Sequence, residues 1–198
     1  MRSKRLFPKS ASTVILIGAI LFGGGVRATA GTLIERTLAF VNKKPVLLSD
    51  VELTKALLQL EEGEALERTI DESLMFEEAS RLLSESPPEE TTASAVFALQ
   101  EKAGAGFTAK ALRRKALIQL AISNYINQRL RPLVRVEDAE VRKVFSQKVL
   151  NDQEPPSFSL VAPSIRELLE RRSLDQKIEE WVTSLRRREE IRRLPSRP

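Results

Sequence analysis

From residue 49 onward, apolar side chains recur at intervals of three and four, the spacing that places them on one face of an α-helix. Leu53, Ala56, Leu57 and Leu60 make the first such stripe. It follows Ser49 and Glu52, an S-x-x-E pattern that predicts a capped helix start. A second helix is expected over about Glu64–Leu83, with Leu66, Ile70, Leu74, Met75, Ala79 and Leu82 inward; Pro87-Pro88 stops it, because proline cannot continue a helix. A third, about Thr91–Ala103, turns Val96, Phe97, Leu99 and Ala103 to the core and ends at Gly104-Ala105-Gly106. Thr108 caps a fourth, about Ala109–Leu130. From Leu117 this helix is apolar nearly all round, which predicts a central position. A fifth, about Asp138–Lys148, carries Val141, Val144 and Phe145.

Prolines 155, 156 and 163 make Val149–Pro163 a loop in this reading. Ser164 and Glu167 form a second S-x-x-E pattern. The last helix then runs over about Ile165–Glu189, roughly 37 Å at 1.5 Å per residue. Its stripe of Ile178, Trp181, Val182 and Leu185 is too apolar to stand in water, so it must return and pack on the earlier helices. Ahead of all the helices, Arg36–Val41 and Val46–Leu48 flank Asn42-Lys43-Lys44-Pro45 and read as a short hairpin, its second arm an edge because Pro45 has no N–H. The expected fold is therefore mostly α, with a short N-terminal β-hairpin and a long returning C-terminal helix.

The first thirty residues follow another pattern. Arg2, Lys4, Arg5 and Lys9 precede an apolar run, Val14–Phe22, and Ala28-Thr29-Ala30 places small residues at −3 and −1. This is a cleavable secretory signal, with cleavage expected between Ala30 and Gly31. At about 15 residues the apolar stretch is shorter than the roughly 20 a membrane span needs. A lipid anchor at a signal site is ruled out, since the chain has no cysteine. The expected organisation is a signal peptide over 1–30 and one helical domain over 31–198, exported from the cytoplasm without stable membrane insertion.

Removing residues 1–30 changes the charge. Five of the 32 basic residues lie there and none of the 27 acidic ones, so the mature chain is neutral and the pI near 9.7 belongs to the precursor. Nucleic acid is therefore not an expected partner. The chain has neither histidine nor cysteine, which excludes histidine-based nucleophile machinery and histidine-ligated zinc. No catalytic residue, cofactor or metal is expected. The acidic clusters Glu61–Glu64 and Glu77-Glu78 read as solvated faces. The basic run Arg186–Arg188, with Arg192 and Arg193, reads as the favourable end of a helix dipole. Met75, Phe76, Phe97 and Phe107 are the candidates for a soft apolar surface that accepts unfolded peptide, although such residues are more often core.

Four segments, in order, resemble the SurA family of periplasmic chaperones. FVNKKPVLLSDV (Phe40–Val51) is similar to that family's opening hairpin and helix start, and LERTIDESLMFEEASRL (Leu66–Leu82) to its second helix. VEDAEVRKVF (Val136–Phe145) resembles the segment that precedes the isomerase domain. Ile165–Leu194 resembles the long returning helix and terminal strand. In that family a parvulin-type prolyl isomerase domain commonly stands between the last two segments. Here only 18 residues, 146–163, occupy that place. The resemblance implies a SurA-N-like, non-catalytic chaperone module whose partners are unfolded or nascent envelope proteins, including outer-membrane clients. The alternative is a structural or adaptor subunit of an envelope complex that shares the fold. A returning helix on a short connection also allows it to dock on a second copy, as a swapped homodimer.

Overall fold

Asn42 adopts the left-handed conformation (φ 54°), which asparagine tolerates better than most residues. With Lys43 it turns strand β1 (Thr37–Val41) back into β2 (Lys44–Leu47). The computed structural model describes residues 35–82, 86–149 and 156–195. The signal segment and the Ala30/Gly31 junction lie outside these residues. β1 is the central strand of a three-stranded antiparallel sheet, order β2-β1-β3, with β3 (Ile191–Arg193) supplied by the chain's far end. Phe40 faces Pro45 on one side and Arg192 on the other. Pro45 is accommodated because β2 is an edge strand. Ala39, Val41 and Val46 point inward and are fully buried, while Phe40 lies on the opposite face with the Arg192 guanidinium 4.7 Å above its ring.

The described residues also form six α-helices: α1 (Leu48–Leu58), α2 (Glu62–Leu82), α3 (Glu89–Ala103), α4 (Ala109–Tyr125), α5 (Asp138–Val149) and α6 (Phe158–Arg188). The protein is mostly helical, with a small sheet near its N-terminus and a long C-terminal helix. Two apolar cores organise it. The main one joins Val41, Val51, Ile70, Leu74, Met75, Ile122 and Leu185, so sheet, α2, α4 and α6 meet there. The second lies between α1, α3 and α4, from Leu53, Leu57, Leu99, Leu112 and Ala116. α4 serves both, which is what its broad apolar surface is for, although Leu117, Ile118 and Leu120 remain only half-buried.

α6 returns within its own chain. Leu185 is 1% exposed, Trp181 and Val182 pack beside it, and the Trp181 ring stacks on Tyr125 at 4.4 Å. Burying each such side chain is worth roughly 1.5–3 kcal/mol. Beyond α6 the chain is stitched to β1 by Asn42 N–H donating to the Glu190 carbonyl (2.7 Å) and Leu194 N–H to that of Leu38 (2.8 Å).

Several local expectations are corrected. Ser49 does not cap α1. The helix begins one residue earlier, and Glu35 accepts from both the Ser49 N–H (3.3 Å) and its Oγ (2.9 Å), so the capping carboxylate comes from before the sheet. Thr108 does cap α4, accepting from Ala111 N–H at 3.2 Å. That helix ends at Tyr125. A π-helical turn (Ile126–Leu130) and a 3-10 turn (Arg131–Leu133) follow, closed where Pro132 can no longer donate. Ser164 and Glu167 do not begin α6, and residues 158–163 are not loop. The helix starts at Phe158 and runs through Pro163. Phe158 is anchored edge-on to Phe145 (centroids 5.3 Å) beneath the Arg142 guanidinium. Proline at the sixth helical position strips only the Ser159 carbonyl of its partner, and Ser159 is exposed to water. Leu82 and Phe97, expected inside, are 47% and 66% exposed.

Candidate interaction surface

α5 packs chiefly against the first half of α6, away from both cores. Val141 and Ile165 are its buried centre. Arg166 locks the junction by donating to the Val136 carbonyl (3.0 Å) and to the Asp138 carboxylate. So thin a centre leaves Leu160, in the first turn of α6, 75% exposed, and Leu133, on the 3-10 turn that precedes α5, is 60% exposed. Where α4's continuation passes α6, a groove of about 500 Å³ opens between Arg131, Val134, Glu167, Glu170, Arg171 and Leu174. The elements explain its composition. Pro132 breaks the helix and turns Leu133 and Val134 outward, while Leu174 sits one turn above Glu170 and Arg171 on α6.

The groove carries charges of both signs. Arg131 donates to the Asn127 Oδ1 (3.0 Å) and Arg171 to Glu167 (2.9 Å), an exposed pair one helical turn apart. Such a rim does not favour an anion. It offers apolar contact from Val134 and Leu174 flanked by charged donors and acceptors. Among the described residues, no three acidic groups lie close enough to hold a metal ion, and no helix is long and apolar enough to cross a membrane.

The four residues singled out for peptide binding do not converge. Met75 is 2% exposed in the main core, and Phe76 packs at that core's edge. Phe107 packs on the second core, so only Phe97 on α3 is presented to solvent. Met75 and Phe76 follow one another on α2, whose inward face is sealed by the sheet and α6. The groove residues were not singled out from sequence. The available signal was the pair Leu133-Val134 just after a helix-ending proline.

A second polar constellation was also missed. Glu72 and Lys115 are 7% and 4% exposed and paired with each other between α1, α2 and α4. Lys115 Nζ also donates to Thr54 Oγ1 (2.8 Å), and Thr69 Oγ1 lies 3.0 Å from the same oxygen. The signal lay in phase: Lys115 stands in the stripe of Ala111, Leu112 and Ala116.

Glu61, Glu62 and Glu64 are exposed as expected, whereas the Glu77-Glu78 cluster and much of the basic run are absorbed by pairing. Glu77 and Glu78 are not a solvated face. Their side chains are 18% exposed and engaged by Arg81 and Arg188, with Asn42 Nδ2 donating to Glu77 at 3.1 Å. Arg186 binds Asp71 (2.5 Å) and Glu67 (2.9 Å), and Arg193 also binds Glu67 (2.8 Å). Hydrogen bonds from Arg193, opposed by burial and reinforced by Arg186, hold the Glu67 carboxyl below its ordinary pKa. Donation from Asn42, opposed by burial and aided by Arg81, does the same for Glu189. Both groups bind α6 and β3 to the rest of the chain. Since their folded pKa values are depressed, their contribution is complete above the unfolded value of about 4.3 and is lost as pH falls through the folded values. Urea unfolding followed downward from pH 6 should show stability dropping below about pH 4.3, and Glu67→Gln should flatten that drop. An unchanged acid limb in Glu67→Gln would remove Glu67 from the account.

No family model matches the chain, and no curated protein matches it.

Proposed function

We propose that the chain is an exported, periplasmic chaperone-like protein that holds unfolded or outer-membrane client polypeptides without catalysing a reaction. The observation that carries the reading is that Leu133, on the 3-10 turn whose neighbour Val134 lines the groove, and Leu160, in the first turn of α6, are both left exposed. Sequence supports it from two sides. The ordered resemblance of four segments to the SurA family implies a client-binding module. The lack of histidine and cysteine removes the usual nucleophile and base chemistry. Exposed leucines bind any apolar segment without a fixed motif, so affinity is weak, broad and little affected by salt.

The test is light scattering of a denatured outer-membrane protein diluted with and without equimolar chain, at low and high ionic strength. Suppression of aggregation at both is expected, and the pair of substitutions Leu133→Asp and Leu160→Asp should abolish most of it. No suppression at either salt would favour an adaptor subunit of an envelope complex, which captures one partner stoichiometrically. Suppression that vanishes at high salt would move the binding surface to the arginines near Arg187.

A further inference from the structure

The hydrogen-bond phase of the β1–β3 ladder leaves one edge of the sheet open. Asn42 N–H donates to the Glu190 carbonyl and Leu194 N–H to that of Leu38, and in the same register Phe40 stands opposite Arg192. Residues 190, 192 and 194 therefore turn their backbone groups toward β1. Successive residues of an antiparallel pair alternate in this respect. The N–H and C=O groups of Ile191 and Arg193 thus point the other way, where the sheet has no further strand. We propose that this edge takes up an extended peptide as an added strand, with a carboxylate side chain of the peptide opposite Arg192.

The two edges of the sheet are not equivalent. On β2, Pro45 lies opposite Phe40, whose backbone groups are committed to β3, so Pro45 faces outward and has no N–H to offer. The β1–β2 register also shifts between Thr37 and Ala39. Prolines and bulges guard exposed edges against added strands. β3 has no proline within it and no break in register. Its one guard is Arg192, which is exposed, lies 4.7 Å above the Phe40 ring and has no carboxylate partner among the described residues. That charge selects the occupant. If a second copy added its own β3 in antiparallel fashion, Ile191 would meet Arg193 and Arg192 would meet Arg192. Like charges directly opposite are unfavourable. A peptide with Glu or Asp at the central position meets Arg192 with the opposite charge. The peptide residues on either side lie beside Ile191, which packs on the main core, and Arg193, whose guanidinium is already held by Glu67 at 2.8 Å. The pattern recognised is therefore apolar, acidic, apolar in an extended chain. Backbone pairing supplies the affinity and the alternate side chains the specificity. The inference does not rest on the client-binding reading, whose groove is formed by other residues.

The probe is a blocked Thr-Val-Glu-Val-Thr peptide, titrated into chain purified from cells expressing the full sequence and followed by amide resonances. The edge is short, so the expected Kd is on the order of 0.1–1 mM, and saturation should slow hydrogen exchange at the Ile191 and Arg193 amides. Methylating the backbone nitrogens of the two valines removes the donors that face β3 and should weaken binding about tenfold or more. Methylating the Glu nitrogen, which points away from β3, should not. A Lys in place of the peptide's Glu should also weaken binding, and Arg192→Glu in the protein should reverse that preference. Leu133→Asp with Leu160→Asp should leave peptide binding unchanged, which separates this edge from the groove. Absence of binding at about 10 mM peptide, equal binding of the valine-methylated or Lys peptide, or loss of binding in the groove variant would each overturn the proposal.

Discussion

Replacing Lys115 by methionine is expected to destabilise the protein by about 3–5 kcal/mol, because it leaves the Glu72 carboxylate buried without its partner. Both side chains are removed from water, and the ammonium is held jointly by Glu72 and Thr54. Methionine fills nearly the volume of the lysine stem, so the loss is electrostatic and not a cavity effect. The double substitution Lys115→Met with Glu72→Leu should recover most of that loss, since a buried ion pair replaced by apolar residues of similar volume is often neutral. The two threonines do not depend on the pair. Thr54 Oγ1 donates to the Asp50 carbonyl (2.9 Å) and Thr69 Oγ1 to that of Ala65 (2.7 Å). Urea unfolding of the single and double variants decides the matter. If Lys115→Met unfolds at the wild-type midpoint, the pair is not buried as described.

Ending the chain after Pro156 should abolish cooperative unfolding altogether. It removes α6 and β3, and with them Leu185, Trp181 and Val182 from the main core. It also uncovers Tyr125 and leaves β1 with a bare edge where Ile191–Arg193 had paired. At roughly 1.5–3 kcal/mol for each buried apolar side chain, the loss equals a large share of an ordinary domain's stability of about 5–15 kcal/mol. The cut belongs at Pro156 and not at Pro163, since α6 already begins at Phe158. Calorimetry of the shortened and complete chains compares them directly. The chain's only tryptophan, Trp181, reports the same core in the complete protein through its fluorescence. A shortened chain that melts as one transition at the full chain's temperature would show that α6 is an appendage.

The proposed client-binding function draws on a different part of the chain from the one that gives it stability. Around the sheet, α2 and the end of α6, Glu67, Asp71, Glu77, Arg81 and Arg186 are paired, and Tyr125 and Trp181 stack on one another at the core. The α5–α6 arm, with little behind it but Val141 and Ile165, keeps Leu160 in water, as the 3-10 turn before it keeps Leu133. The client-binding proposal rests on that contrast, and so does the choice of Leu133 and Leu160 over Met75 and Phe76 as the residues to change.

What could be read from residues alone were features decided by a short stretch of chain. The Asn42 turn, the proline in an edge strand, the Pro87-Pro88 stop and the Thr108 cap each depend on backbone geometry within a few positions. The returning helix could be read as well, because a stripe holding Trp181 and Leu185 has to be buried somewhere in the chain or its partner. The errors share one cause. Ser49-x-x-Glu52 and Ser164-x-x-Glu167 both have the form of a cap, but a cap is worth only about 1 kcal/mol. At Ser49 a carboxylate from Glu35 outbid it, and at Ser164 the packing of Phe158 on Phe145 drew the helix past Pro163. Periodicity likewise says that α3 has an inward face without saying how wide that face is. Leu99 is covered by α1 and α4, whereas Phe97, two residues away, has nothing over it. The partnership of Glu72 with Lys115, 43 residues apart, and the groove beside Leu174 exist only once helices distant in sequence lie side by side, since burial depends on what the rest of the chain places opposite each residue.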